Sequence, residues 1–334
     1  MNIDKLIEKD FSGTVSIKKN GEVVFQDAYG YADLPNKVHN EINTKFATAS
    51  AGKVFVAVGI LKLIEEEKLD FNDTIGKLLD FNLNEIDSSI TVKQLLNHTS
   101  GIPDYFDESI MNEYDELWKD YPNYKIRKSI DLLPLFINKP MMYAAGEKFQ
   151  YNNTGFVVLG LIIEKVTGFL FDEYLTENIF KPCNMLDTGY YELDRLPAKC
   201  ANAYIYNDTR KEFYTNIYSV DVKGTGAGGA FTTVLDIDKF WECLLEGKLL
   251  SKNMANQMLS LQSSDEDDCY GYGIWLRKVG EDTYIPYFQG CDPGMSFISS
   301  YDRKSKTSIT IVSNFGDNVW KLRSNISNIL NNSI

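Results

Sequence analysis

Residues 45–64 read KFATASAGKVFVAVGILKLI. Ser50 and Lys53 stand at the head of a run in which Val54, Phe55, Val56, Val58, Ile60, Leu61, Leu63 and Ile64 are apolar on every side of a helix. A helix that is apolar all round belongs in the interior. Two polar side chains at its first turn therefore need a reason. At i and i+3 of a helix they share a face and can touch. A lysine held out of water there shifts toward its neutral form. A neutral amine beside a hydroxyl is a general base beside a nucleophile. The free N–H groups of the helix start can also help to hold an oxyanion. The plain alternative is that Ser50 caps the helix and Lys53 snorkels to solvent.

The S-x-x-K spacing is expected about once or twice by chance in a chain this long, from average composition. It occurs a second time at Ser16 and Lys19. That pair lies in a strand-like stretch, where residues three apart point to opposite faces. Only the Ser50 pair can meet.

Outward from this helix, residues 13–33, GTVSIKKNGEVVFQDAYGYAD, alternate around Asn20-Gly21 and predict a hairpin. Residues 72–200 read mostly as helical segments and loops, and a further helix follows GTGAGGAFTT. Strand-like stretches lie between 270 and 313, and 318–330 reads as a closing helix. The economical architecture is α+β: one antiparallel sheet from both chain ends, flanked by the terminal helices, with a helical insertion. We expect a sheet domain from 1–75 and 222–334, a mainly helical insertion from 76–221, and the active-site cleft between them.

The chain has 334 residues and a net charge of -13 from 47 acidic and 34 basic residues. Such a surface repels phosphate backbones and anionic lipid, so the expected partner is a small molecule or short peptide rather than nucleic acid. The longest apolar runs fall well short of the ~20 residues of a membrane span, so no insertion is expected. Oligomeric state is not legible. Five widely spaced cysteines argue against a disulfide framework or zinc site. With a start that lacks the pattern of a secretory signal, they point to the cytoplasm. No metal or organic cofactor is expected.

Residues 148–168, KFQYNNTGFVVLGLIIEKVTG, place Tyr151 and Asn153 before a second buried helix. Together with the Ser50 pair, this resembles the Y-x-N element of the serine β-lactamase and penicillin-binding protein superfamily, especially its class C branch. Tyr121-Pro122-Asn123 matches the bare pattern, but no apolar helix follows it. VKQLLNHTSGIPDY (92–105) and GAGGAFTTVLDIDKF (226–240) resemble further family segments. The likeness spans roughly 10 to 320, in order.

The resemblance implies a serine hydrolase acting on an ester, amide or D-amino-acid peptide. Ser50 would be the nucleophile, and Lys53 and Tyr151 would share its proton. Asn153 would hold the substrate amide or Lys53. The third family motif, Lys-Thr-Gly or His-x-Gly, falls on YFQGCDPGMSF (287–297). Counting back from Pro293-Gly294 puts Phe288-Gln289-Gly290 on it, with the Cys291 N–H as second oxyanion donor. A shift by one gives Gln289-Gly290-Cys291, with Asp292 as donor. In both registers the motif's charged side chain is missing, so weak β-lactamase activity is expected; Arg303 is the nearest cation in sequence. Only His39 and His98 exist, neither in a G-x-S-x-G elbow, which disfavours a Ser-His-Asp triad. His98 reads as a turn residue. A non-catalytic binding module and an acyltransferase stay open as alternatives.

Overall fold

The structure, a computed structural model, describes residues 3–266 and 268–332. The two ends of the chain build one sheet. Its strands are β1 (Gly13–Lys19), β2 (Glu22–Tyr29), β3 (Ser263–Ser264), β4 (Cys269–Tyr270), β5 (Trp275–Lys278), β6 (Tyr284–Asp292), β7 (Met295–Asp302) and β8 (Thr307–Ser313). They run antiparallel in the order β2-β1-β8-β7-β6-β5-β4-β3. Asn20 and Gly21 both take positive φ (55° and 81°), the two-residue turn whose twist matches the hairpin.

Alternation along the central strands gives the sheet two buried faces. Val15, Ile17, Ile298 and Ile311 face the terminal helix α4 (Val319–Asn332) with Val319, Leu322 and Ile326. Phe288, Phe297 and Val312 join the larger core on the opposite face. That core contains α1 (Lys53–Glu65), α2 (Asn153–Thr167) and α3 (Val234–Glu246). Phe55 of α1 meets Phe180 on one side and Phe240 of α3 on the other, with centroids 5.1 and 5.2 Å apart. Packed on both sides from Lys53 to Leu61, α1 has no solvent face there to make polar, which accounts for its apolar sequence; Lys62 and Glu65 come where its last turn reaches solvent.

The molecule is therefore α+β, as expected. In the 76–221 stretch, α2 accompanies short helical turns and one hairpin, Tyr204–Asn207 with Glu212–Thr215, that periodicity did not indicate. SIDLLPLFI forms a 3-10 stretch over Ser129–Leu135 instead of a longer helix. Pro134 inside it has no amide hydrogen to donate. Among the described residues, no single helix is long and apolar enough to cross a membrane.

Candidate active site

Ser50 lies on a 3-10 turn, Ala49–Gly52, that leads directly into α1. Ala49 takes a left-handed φ of 45°. Lys53, the first residue of α1, is 2% exposed, and its Nζ lies 2.9 Å from Ser50 Oγ. The same nitrogen donates to Asn153 Oδ1 at 2.8 Å and to the Ala227 carbonyl at 2.6 Å. Burial pushes the Lys53 amine down to about 8, against the opposing pull of Glu108, Asp104, Asp292 and Asp221. A neutral amine has two hydrogens and one lone pair. With both hydrogens committed to Asn153 and Ala227, the lone pair is left for the Ser50 hydroxyl.

Tyr151 closes the group. Burial, the largest influence, pushes its hydroxyl well above the usual phenol range, and the neighbouring Ser50 hydroxyl draws it part of the way back. It therefore stays protonated. Its ring stacks on Trp275 (5.4 Å, 20°) and leans on His98 (4.6 Å). His98 takes a φ of 58° and is 1% exposed, and its Nδ1 accepts from the Asn152 N–H at 3.1 Å. Burial and nearby Lys53 hold it well below the usual histidine range, so it is a neutral turn residue behind Tyr151.

Asn153 touches Lys53 and donates from Nδ2 to the Phe106 carbonyl and Glu108 Oε1, so all of its amide is engaged within the protein. Asp104 anchors the start of α2: its carboxylate accepts from the N–H groups of Asn153 and Thr154, and burial raises it to about 6. Glu108 and Trp275 carried no sequence signal, and nothing within the family-like stretches 92–105 and 226–240 singled out Asp104 or the Ala227 carbonyl. Asp104 and Glu108 reach the site from one loop, Ala227 from another and Trp275 from β5.

Gly290 sits where the sheet meets the nucleophile turn. A Cβ there would lie 2.3 Å from Thr48 O and 2.7 Å from Ser50 N. Beyond the two-residue turn Pro293-Gly294, Asp292 and Met295 form the closing pair of β6 and β7. Alternation then leaves the Cys291 N–H and C=O pointing away from β7. Pairing of β6 with β5 ends at Tyr287, so those groups face an open edge. This placement matches the Phe288-Gln289-Gly290 register. Phe288 is buried against Trp241 and Phe297, and Gln289 Oε1 accepts from Trp320 Nε1 at 2.7 Å. Arg303 pairs with Asn256 and does not line the cleft.

The other motif matches lie apart. Ser16 donates to Asp238 from β1, and Tyr121 donates to the Asp131 carbonyl.

Ser50, Tyr151, Asn153, Gln289, Gly290 and Cys291 line one cleft of about 810 Å³. A serine with a buried lysine behind it, in a cleft at the edge of an antiparallel sheet, defines a serine hydrolase of α+β architecture. The chain belongs to the Beta-lactamase family, whose model matches residues 3–331. It is similar to a penicillin-binding protein from Bacillus halodurans, with 35% identity, coverage of 98% of this chain and 99% of that one, and a TM-score of 0.94. Penicillin-binding protein 4* of Bacillus subtilis (strain 168) is 29% identical over 86% of this chain, which spans only 64% of that relative. The octameric penicillin-binding protein homologue of Pyrococcus abyssi shares the fold, with a TM-score of 0.84 at 24% identity over 98% of this chain and 76% of that one.

Proposed function

We propose that the protein cleaves a small ester, amide or D-amino-acid peptide through an acyl-enzyme on Ser50. The observation that carries this reading is the Lys53 amine, poised between Ser50 Oγ, Asn153 and Ala227. Lys53 takes the Ser50 proton as Oγ attacks the carbonyl carbon. The Ser50 and Cys291 N–H groups hold the oxyanion. As the bond to the leaving group breaks, Tyr151 gives that group its proton and is reprotonated from Lys53. Water then attacks the acyl carbon, loses a proton to the same pair, and Oγ leaves with a proton restored. Gln289 lines the acyl site, and Asn153 acts by holding Lys53.

Phe288 occupies the motif position where the family carries a cation, which supports weak turnover of penicillins. The five cysteines are free, which supports a reducing, cytoplasmic location.

A fluorophosphonate probe should label wild-type protein and not Ser50→Ala, whose melting temperature stays close to wild type. Labelling of Ser50→Ala at the wild-type rate would defeat the assignment, and a protein that never labels would be the binding module. A short-chain p-nitrophenyl ester should be turned over more efficiently than nitrocefin. Product analysis with added amines distinguishes a hydrolase from an acyltransferase.

A further inference from the structure

The described lining of the cleft holds five acidic residues and no lysine or arginine. Two of the five, Asp221 and Asp292, also border a second cavity bounded by Phe46, Leu196, Ile217, Val220, Phe231 and Met295. They stand where the two spaces adjoin. Asp221 accepts from Tyr114 Oη at 3.2 Å. The Asp292 carboxylate receives no hydrogen bond from the described residues, although it is held partly out of solvent and feels the negative charge of Asp221. Burial, followed by that repulsion, drives its carboxyl well up, and burial raises Asp221 to about 6. Two carboxyls that repel each other cost stability, and the chain offsets this only in part, through the charge of Lys53 on both and the Tyr114 hydroxyl on Asp221.

Strand geometry says what would meet them. Side chains alternate along β6, so Asp292 shares the face of Gly290, which abuts the Ser50 turn. The N–H and C=O of Cys291 point to the same open edge. If the N–H holds the scissile carbonyl oxygen, the C=O of the same residue lies one step closer to Asp292. A donor on the carbon next to the scissile carbonyl then meets the Cys291 carbonyl first and the Asp292 carboxylate beyond it.

We infer that Asp292, with Asp221, binds a protonated amino group on the α-carbon of the acyl part, so that the substrates are amides or esters of amino acids with a free amino terminus. The cavity behind the pair, lined by apolar side chains together with Asn202, Asn216 and Asn314, takes the adjoining side chain. This rests on the acyl-enzyme reading above for the position of the carbonyl. It makes the cleft selective for cations, not merely indifferent to charge.

The test uses ligand binding to Ser50→Ala, so that it does not depend on turnover. At pH 7, alaninamide of either hand is titrated against N-acetylalaninamide of the same hand and followed by NMR. The free-amine ligand of at least one hand should bind about ten- to a hundredfold more tightly, the range of a hydrogen bond between charged groups. That advantage should shrink about tenfold with Asp292→Asn, in protein shown by its melting curve to be folded. It should also weaken as salt is raised. Equal affinity for the two ligands, tighter binding of the acetylated one, or no binding of either would overturn the inference. So would an advantage unchanged in both Asp292→Asn and Asp221→Asn. Fluorophosphonate labelling of the wild type separately reports whether the acyl-enzyme reading holds.

Discussion

Lys53 shows how a single side chain takes its role from its surroundings. Its amine is pushed down to about 8 chiefly by burial, so it is mostly protonated at pH 6 and mostly neutral at pH 9. The neutral form is the base. We therefore expect kcat/KM to rise with pH and level off above about 8, while Tyr151 remains protonated throughout; a flat profile from pH 6 to 9 would remove Lys53 from the proton transfer. Lys53→Arg keeps a cation that cannot act as a base near neutrality. It should lower kcat by ~10² to 10⁴, the usual worth of a positioned general base. His98 acts one layer back. His98→Ala strips an acceptor from the buried Asn152 N–H and opens a void beside Tyr151 and Phe156. The combined cost should be ~2–4 kcal/mol in denaturant unfolding.

Among the elements, the site depends on how closely β6 approaches the turn before α1. Gly290 permits that approach, and the nearest atoms to a Cβ there would be backbone, which cannot swing aside. Gly290→Ala should therefore displace the Cys291 N–H from Ser50 and cut kcat more than a hundredfold, as for loss of an oxyanion donor (~10²–10³). The measurement is kcat on the best ester, with circular dichroism to show that the sheet persists. Near-normal turnover would mean that β6 does not supply the donor. The α1 run, the Asn20-Gly21 hairpin and the strands β7 and β8 were legible because each carries its signal locally, as a long apolar run, a turn pair, or a short strand-like stretch bounded by turns. The 3-10 stretch at Ser129–Leu135 and the Tyr204–Thr215 hairpin were not, since short elements held by tertiary contacts leave little periodicity behind.

Across the molecule as a whole, buried and surface carboxylates set how stability responds to pH. The net charge is -13, and Asp104, Asp221 and Asp238 are each raised to about 6 by burial. An acid whose folded pKa exceeds its unfolded value near 3.8 favours the folded state in its protonated form. Its stability contribution is thus lost as pH rises from about 4 through 6. Lys53 works in the opposite direction, but only at higher pH: its burial penalty stays complete below about 8 and is relieved between there and its ordinary value of 10.5. Between pH 5.5 and 7.5 buried His98 works against the carboxyls, since its burial penalty is relieved as pH rises through its ordinary 6.5; three raised carboxyls outweigh this one group, and the growing net negative charge adds to their side. The melting temperature should therefore be a few degrees higher at pH 5.5 than at pH 7.5, and moderate salt should narrow the gap. A higher melting temperature at pH 7.5 in scanning calorimetry would contradict this account.

Spacing along the chain was enough to read the sheet from both chain ends and the buried helix behind Ser50, and to show that Ser50 and Lys53 could meet. Each follows from a single element, where a period of two or of 3.6 fixes which side chains share a face. The fold decided against a snorkelling lysine by burying Lys53 with its Nζ 2.9 Å from Ser50 Oγ. Ordered resemblance added Tyr151 and Gly290. What surrounds these residues emerged only from the folded arrangement. Ala227 and Asn153 fix the Lys53 hydrogens, Asp104 anchors α2 from a distant loop, and Gln289 is tied to Trp320. Arg303 stays outside the cleft, and Asp221 and Asp292, far apart in the chain, both line it. These are meetings between segments far apart in the chain. No local period encodes them, because their geometry exists only once the sheet edge and the loops have closed around α1.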